Sequence, residues 1–156
     1  MTRVHLAGDH AAFDMLRDLV AVLEQDGHDV TDHGPHELDA LDDYPVFVLR
    51  AAEAVAADPE ALGVVLGGSG NGEQMAANKV AGVRAALCYD EELARLAREH
   101  NDARIISIGA RMTDPEVARA MVRTFVATPF SGEERHARRI AMVEAYEADR
   151  TLPPLG

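Results

Sequence analysis

The sequence is short of cysteine, of basic residues and of long apolar runs, and each shortage excludes something. A single cysteine, Cys88, cannot close an intrachain disulfide. No Cys/His pairing has zinc-finger spacing, and no pair of histidines has the HExxH spacing of a helical zinc site, so no metal is assigned. Asp and Glu outnumber Lys and Arg 27 to 15, for a formal charge of −12. Such a surface repels nucleic acid and anionic lipid, which removes both as partners. The opening MTRVHLAGDH lacks a signal-peptide core, and no uncharged run approaches the roughly 18 residues a membrane span needs. The expectation is a cytoplasmic protein with no membrane partner.

What is present is a globular composition of ordinary kind, 47% hydrophobic and 27% charged over 156 residues. That length suits one domain, expected over residues 1–150, with TLPPLG at 151–156 as a short tail. Apolar runs of strand length alternate with helical periodicity. Strands are expected at Val4–Ala7, near Asp29–Asp32, at Leu62–Leu66, at Ala85–Cys88 and at Arg104–Ile108. Helices are expected at Ala11–Gln25, from Pro45 to about Ala57, near Gln74–Lys79, at Glu91–His100, at Pro115 to about Ala127 behind an Asp114 cap, and at Glu133–Ala148. This rhythm predicts a Rossmann-like, doubly wound parallel α/β sheet of about five strands with helices on both faces.

In such sheets ligands sit beyond the carboxyl ends of the strands, where the loop Gly67-Gly68-Ser69-Gly70-Asn71-Gly72 falls. Its glycines let the backbone approach a ligand closely and turn several N–H groups toward one point ahead of a helix, a cradle for an oxyanion or phosphate. The loop departs from both common nucleotide patterns, because Glu73 stands where a dinucleotide loop needs a small residue and a Walker loop needs lysine. A plain strand-to-helix turn, with Glu73 favouring the helix dipole, is the competing reading. Near the other end, Arg135 and Arg139 share a helix face at i, i+4, close enough to grip one anion; a solvated helix paired with Glu133 and Glu134 is the alternative.

Four separated segments, GDHAAF, GGSGNGEQMAANKVAGVRAAL, REHNDARIISIGAR and ERHARRI, resemble in order those of the ribose-5-phosphate isomerase B family, over about Val4 to Glu147. The resemblance implies an aldose–ketose isomerase that interconverts ribose 5-phosphate and ribulose 5-phosphate in the non-oxidative pentose phosphate pathway, without metal or other cofactor. It also implies a homodimer, sometimes paired into tetramers, whose subunits share the active site. One branch of the family carries a catalytic cysteine where this chain has Gly67, and a second uses a glutamate just after the loop. The chain resembles the second, with Glu73 as the base, and Cys88 lies away from either position.

On this pattern Glu73 moves the proton between carbons 1 and 2, and the amides from Gly68 through Ser69, Gly70 and Asn71 to Gly72 stabilise the enediolate. Asp9 binds hydroxyls near the reacting end, with a helix cap as its competing role, and His10 is equally placed to meet substrate. His100 opens the sugar ring, Asn101 binds a neighbouring oxygen, and Arg111 joins Arg135 and Arg139 on the phosphate. Two alternatives stay open: an isomerase of another phosphorylated aldose, such as allose 6-phosphate or a tetrose phosphate, and a non-catalytic nucleotide-binding α/β module.

Overall fold

The computed structural model describes residues 1–156. Five parallel strands, β1 (Arg3–Ala7), β2 (Asp29–Asp32), β3 (Leu62–Gly67), β4 (Ala85–Leu87) and β5 (Ile105–Gly109), form one sheet in the order β2-β1-β3-β5-β4. The fully apolar β3 lies at its centre, paired to β1 on one side and β5 on the other, and every residue in β3 and β5 is buried. A central parallel strand covered on both faces reads in sequence as an unbroken apolar run, which is why Leu62 to Leu66 announced it.

Helices cover both faces. Helices α1 (Phe13–Gln25), α4 (Glu91–Asn101) and α5 (Pro115–Ala127) enclose the larger core, built around Leu16, Leu19, Leu66, Ile106, Met121 and Phe125. Helices α2 (Tyr44–Ala57) and α3 (Asn71–Ala77) enclose a smaller one around Val48, Val55, Val65 and Ile105. Chain direction reverses its lateral step between β1 and β3, since β2 lies to one side of β1 and β3 to the other. In sheets of this kind the switch point is where ligands bind, in the crevice beyond the carboxyl ends of the strands, and here Gly8-Asp9-His10 and the glycine loop follow β1 and β3 at that position.

Two local differences from the sequence expectations have physical causes. A single 3-10 turn, His10–Ala12, precedes α1, capped by Asp9, whose carboxylate accepts from the Ala11 amide at 2.9 Å. Helix α3 starts at Asn71 rather than near Gln74, because Gly70 adopts a left-handed conformation (φ 83°) and its carbonyl already accepts the first helical bond from the Gln74 amide. That earlier start puts Glu73 in the first turn of the helix. Helix α6 (Glu134–Asp149) is the outlier: only His136 in it is buried, and it packs chiefly along α4. Residues 151–156 carry no regular structure.

Candidate active site

Glu73 is the buried carboxylate of the crevice, 4% exposed in the first turn of α3. Its side chain folds back over the end of β3. A Cβ built on Gly67 would stand 1.9 Å from Glu73 Oε1, so the carboxyl group occupies the space of any side chain at 67. Steric exclusion thus makes a residue with a side chain at 67 and a glutamate at 73 alternatives in this geometry. Burial raises the Glu73 pKa above the usual carboxylate range, its own backbone amide opposes the rise, and the nearby Asp9 charge adds to it. A carboxylate of this kind takes up and releases protons nearer neutrality than an exposed one.

The loop beside it is pinned from beneath. Ser107 of β5, fully buried, donates its hydroxyl to the Gly70 carbonyl at 2.8 Å. Gly109 ends β5 with no room for a side chain, since a Cβ there would meet the Ser69 backbone at 2.5 Å. Ser69 Oγ accepts from the Asn71 amide at 3.3 Å and so braces the turn from within. Gly72 abuts the Tyr44 ring, which would meet a Cβ at 2.6 Å. Gly68 lies under the Arg111 side chain, and its carbonyl accepts from the Arg111 amide at 3.0 Å. Arg111 has no carboxylate within ion-pair distance, which leaves its charge for a ligand.

Asp9 (7% exposed) and His10 complete this group at the end of β1. One Asp9 oxygen serves the 3-10 turn, so the helix-cap role expected as the alternative is realised, while its charge acts on both Glu73 and His10. Asp9, His10 and Asp42 bring one potential donor atom each within 4.8 Å of one another, the one grouping in the protein able to hold a metal ion. Sequence spacing gave no sign of it, because Asp42 is 32 positions from His10. Its donor atoms are already committed: His10 Nδ1 and Asp42 Oδ1 face each other at 2.7 Å, a hydrogen-bonded pair rather than an open ligand set.

His100, Asn101, Arg135 and Arg139 form a second group elsewhere. His100 and Asn101 end α4, which leads into the start of β5, so they lie at the amino-terminal edge of the sheet. Arg84, just before β4, fixes that placement by donating to the Asn101 and Asp102 carbonyls at 3.0 and 3.1 Å. Five residues of β5 at about 3.3 Å each put roughly 15 Å of sheet between this edge and the glycine loop. Here a cleft of about 280 Å³ is lined by Arg84, His100, Asn101, His136, Arg139, Ile140 and Val143. His136, which the sequence reading passed over, is 6% exposed and stacks on His100 with ring centroids 4.2 Å apart. Burial, then the charges of His100 and Arg135, lower its pKa, and its buried Nε2 has no hydrogen-bond partner. Arg139 has no ion pair, whereas exposed Arg135 and Arg138 pair with Glu133 and Glu134 at 3.0 and 2.8 Å, as the solvated-helix alternative had it.

Cys88 is 1% exposed in the larger core, and burial pushes its thiol up to about 12, far from the range of a reactive thiolate.

Fold and site together define a class: a Rossmann-like α/β protein with a covered carboxylate and an amide-rich loop at its switch point. Comparison with known proteins narrows it. Residues 4–143 match the Ribose/Galactose Isomerase family, and the chain belongs to that family. It is 52% identical over 153 residues to the ribose-5-phosphate isomerase B of Mycolicibacterium paratuberculosis, covering 98% of this chain and 96% of that one. The corresponding protein of Mycobacterium tuberculosis is 49% identical over 153 residues, with 98% and 94% covered. Among solved structures, ribose-5-phosphate isomerase B of Mycoplasma genitalium with bound ribulose 5-phosphate superposes with a TM-score of 0.92 at 35% identity, covering 95% of this chain and 97% of that one. The Trypanosoma cruzi type B enzyme gives 0.90 at 47% identity, covering 97% and 100%.

Proposed function

We infer that the protein interconverts ribose 5-phosphate and ribulose 5-phosphate by proton transfer through an enediolate. The observation that carries this is Glu73: a covered carboxyl group with a raised pKa, beside a pinned loop of backbone amides, at the crevice where this fold binds ligands. Relatives half identical to this chain bear the name of that activity, and the M. genitalium neighbour holds the ketose product.

Glu73 takes the proton from carbon 2 of the open-chain aldose. The electron pair moves into a carbon 1–carbon 2 double bond, and negative charge develops on the aldehyde oxygen. That charge meets the amides of the loop from Gly68 to Gly72 other than that of Asn71, which Ser69 holds, and the loop is fixed in advance by Ser107 and the Gly109 contact, so little reorganisation is left for the moment of reaction. Glu73 then returns the proton to carbon 1, while a hydroxyl proton passes from oxygen 2 to oxygen 1, giving the ketose. Asp9 and Asn101 bind sugar oxygens, and His100 opens the furanose ring as general acid and base. Arg111, Arg135 and Arg139 hold the phosphate, with His136 beside Arg139 as a further donor to it.

These roles require a second copy of the chain. Base and loop lie at one edge of the sheet, and His100, Asn101, His136 and Arg139 at the other, too far apart to act on one five-carbon sugar. A homodimer in which each subunit lends its His100 edge to the other's Glu73 edge resolves this. Helix α6 supplies contact surface for it, with Met142, Val143 and Tyr146 exposed along one side. The enzyme is expected to turn over ribose 5-phosphate faster than allose 6-phosphate or erythrose 4-phosphate, and to show no ATP binding. The rates of the purified protein on each sugar phosphate test this, and a higher kcat/KM on another aldose phosphate would reassign the substrate.

A further inference from the structure

We propose that Asp42 is a positioning residue for His10, the two forming a carboxylate–imidazole dyad that presents a charged ring N–H to an anionic oxygen of the substrate. The inference rests on the sugar-phosphate reading above and adds to it a residue from the polar segment between β2 and α2.

Asp42 Oδ1 accepts twice from one residue: from the His10 backbone N–H at 3.0 Å and from the ring Nδ1 at 2.7 Å. Two contacts from one oxygen fix both the position of His10 at the end of β1 and the orientation of its ring. A carboxylate can only accept, so Nδ1 carries the hydrogen and Nε2 is turned away from Asp42. The Asp42 side chain is 7% exposed and that of His10 30%, so the ring stands between a covered carboxylate and open space. That space is a cleft of about 470 Å³ shared with Asp14, Asp18 and Arg119.

The second Asp42 oxygen is buried with no hydrogen-bond partner, and no arginine or lysine pairs with this carboxylate. A covered carboxylate without a cation is costly, and the group in reach that can become one is His10. The charges around the ring agree. Asp42 and then Asp9 favour imidazolium, with burial and Arg111 opposing them, and the balance raises His10 above its ordinary pKa. On the cleft side Asp18 and Arg119 are paired to each other at 2.6 Å and largely cancel, and Asp14 adds a further negative charge. The dyad is neutral overall, so what it offers a dianionic substrate is a directed donor, held in place before substrate arrives.

Asp42→Asn separates charge from geometry, because the amide oxygen can still accept both His10 hydrogens while the negative charge is gone. The His10 titration midpoint, followed by NMR with His10→Gln to assign the ring signals, should fall in Asp42→Asn. At pH values between the mutant and wild-type midpoints the mutant's KM for ribose 5-phosphate should be up to about tenfold higher, the difference between a charge-assisted and a neutral hydrogen bond, and the gap should close at lower pH where the ring is protonated in both proteins. The kcat should change far less than KM, and in a His10→Gln background Asp42→Asn should add no further KM increase. An unmoved His10 midpoint, or a KM increase with no pH dependence, would overturn the dyad. A wild-type protein inactive on ribose 5-phosphate would sink the substrate reading instead, and the His10 midpoint would still decide the dyad.

Discussion

The two edges of the sheet hold opposite kinds of polar chemistry. At the carboxyl-terminal edge Asp9 and Glu73 are covered acids beside a loop fixed by Ser107, Gly109 and Tyr44. At the amino-terminal edge His100, His136, Arg84 and Arg139 line an open cleft, where Arg84 pairs with Asp102 and Glu144 and Arg139 is left without an ion pair. A base that removes a carbon-bound proton needs a raised pKa, and cover supplies it; a phosphate clamp needs charges that stay solvated until the anion arrives. Each edge holds groups that the other lacks. The general charge of −12 sharpens the contrast, because only a local excess of arginine can hold a dianion on this protein.

The largest expected effect lies at the covered edge. Glu73→Gln keeps shape and removes the proton acceptor, so kcat should fall by about a thousandfold, within the usual range for general acid–base groups, with KM little changed. The same change should not destabilise the protein near neutral pH. The sign follows from the raised pKa: for a carboxylate disfavoured by burial, the cost of ionisation is absent below the unfolded pKa, grows as pH rises through the interval up to the folded pKa, and is complete above it. Urea midpoints of the two proteins at pH 4 and pH 7.5 measure this, and a mutant less stable at the higher pH would break the link between burial and function. At the open edge the effect should be smaller and of another kind. Arg139→Ala should raise KM roughly ten- to hundredfold, the loss of one charge-assisted contact, while kcat falls much less. Steady-state kinetics on both variants would blur the contrast between edges if Arg139→Ala reduced kcat as Glu73→Gln does.

The sequence made the scaffold legible where period and chemistry agreed. The apolar run of β3, Asp114 as a cap, and Pro45 and Pro115 at helix starts all report local physics, and their elements form as expected. Segments resembling one family suggested roles for the candidate residues and a site shared between subunits, but not which edge of the sheet each residue occupies, which follows from strand order and chain direction. Asp42, Tyr44, Ser107 and His136 escaped for a related reason: each matters through a partner far along the chain, such as Ser107 through Gly70, 37 positions away. The buried stack of His136 on His100 had no spacing signature, since helix α6 reaches α4 only through tertiary packing.

The central claim, that a working site takes one edge from each of two subunits, is tested most directly by mixing two inactive variants. A Glu73→Gln chain retains His100, and a His100→Asn chain retains Glu73. After subunit exchange, verified by native mass spectrometry of differently tagged chains, an equal mixture should regain about a quarter of the wild-type rate, since half of randomly paired dimers are mixed and each of those holds one intact site of two. Activity that stays at the level of the separate variants, with mixed dimers present, would contradict the account and place base and ring-opening histidine in the site of a single chain.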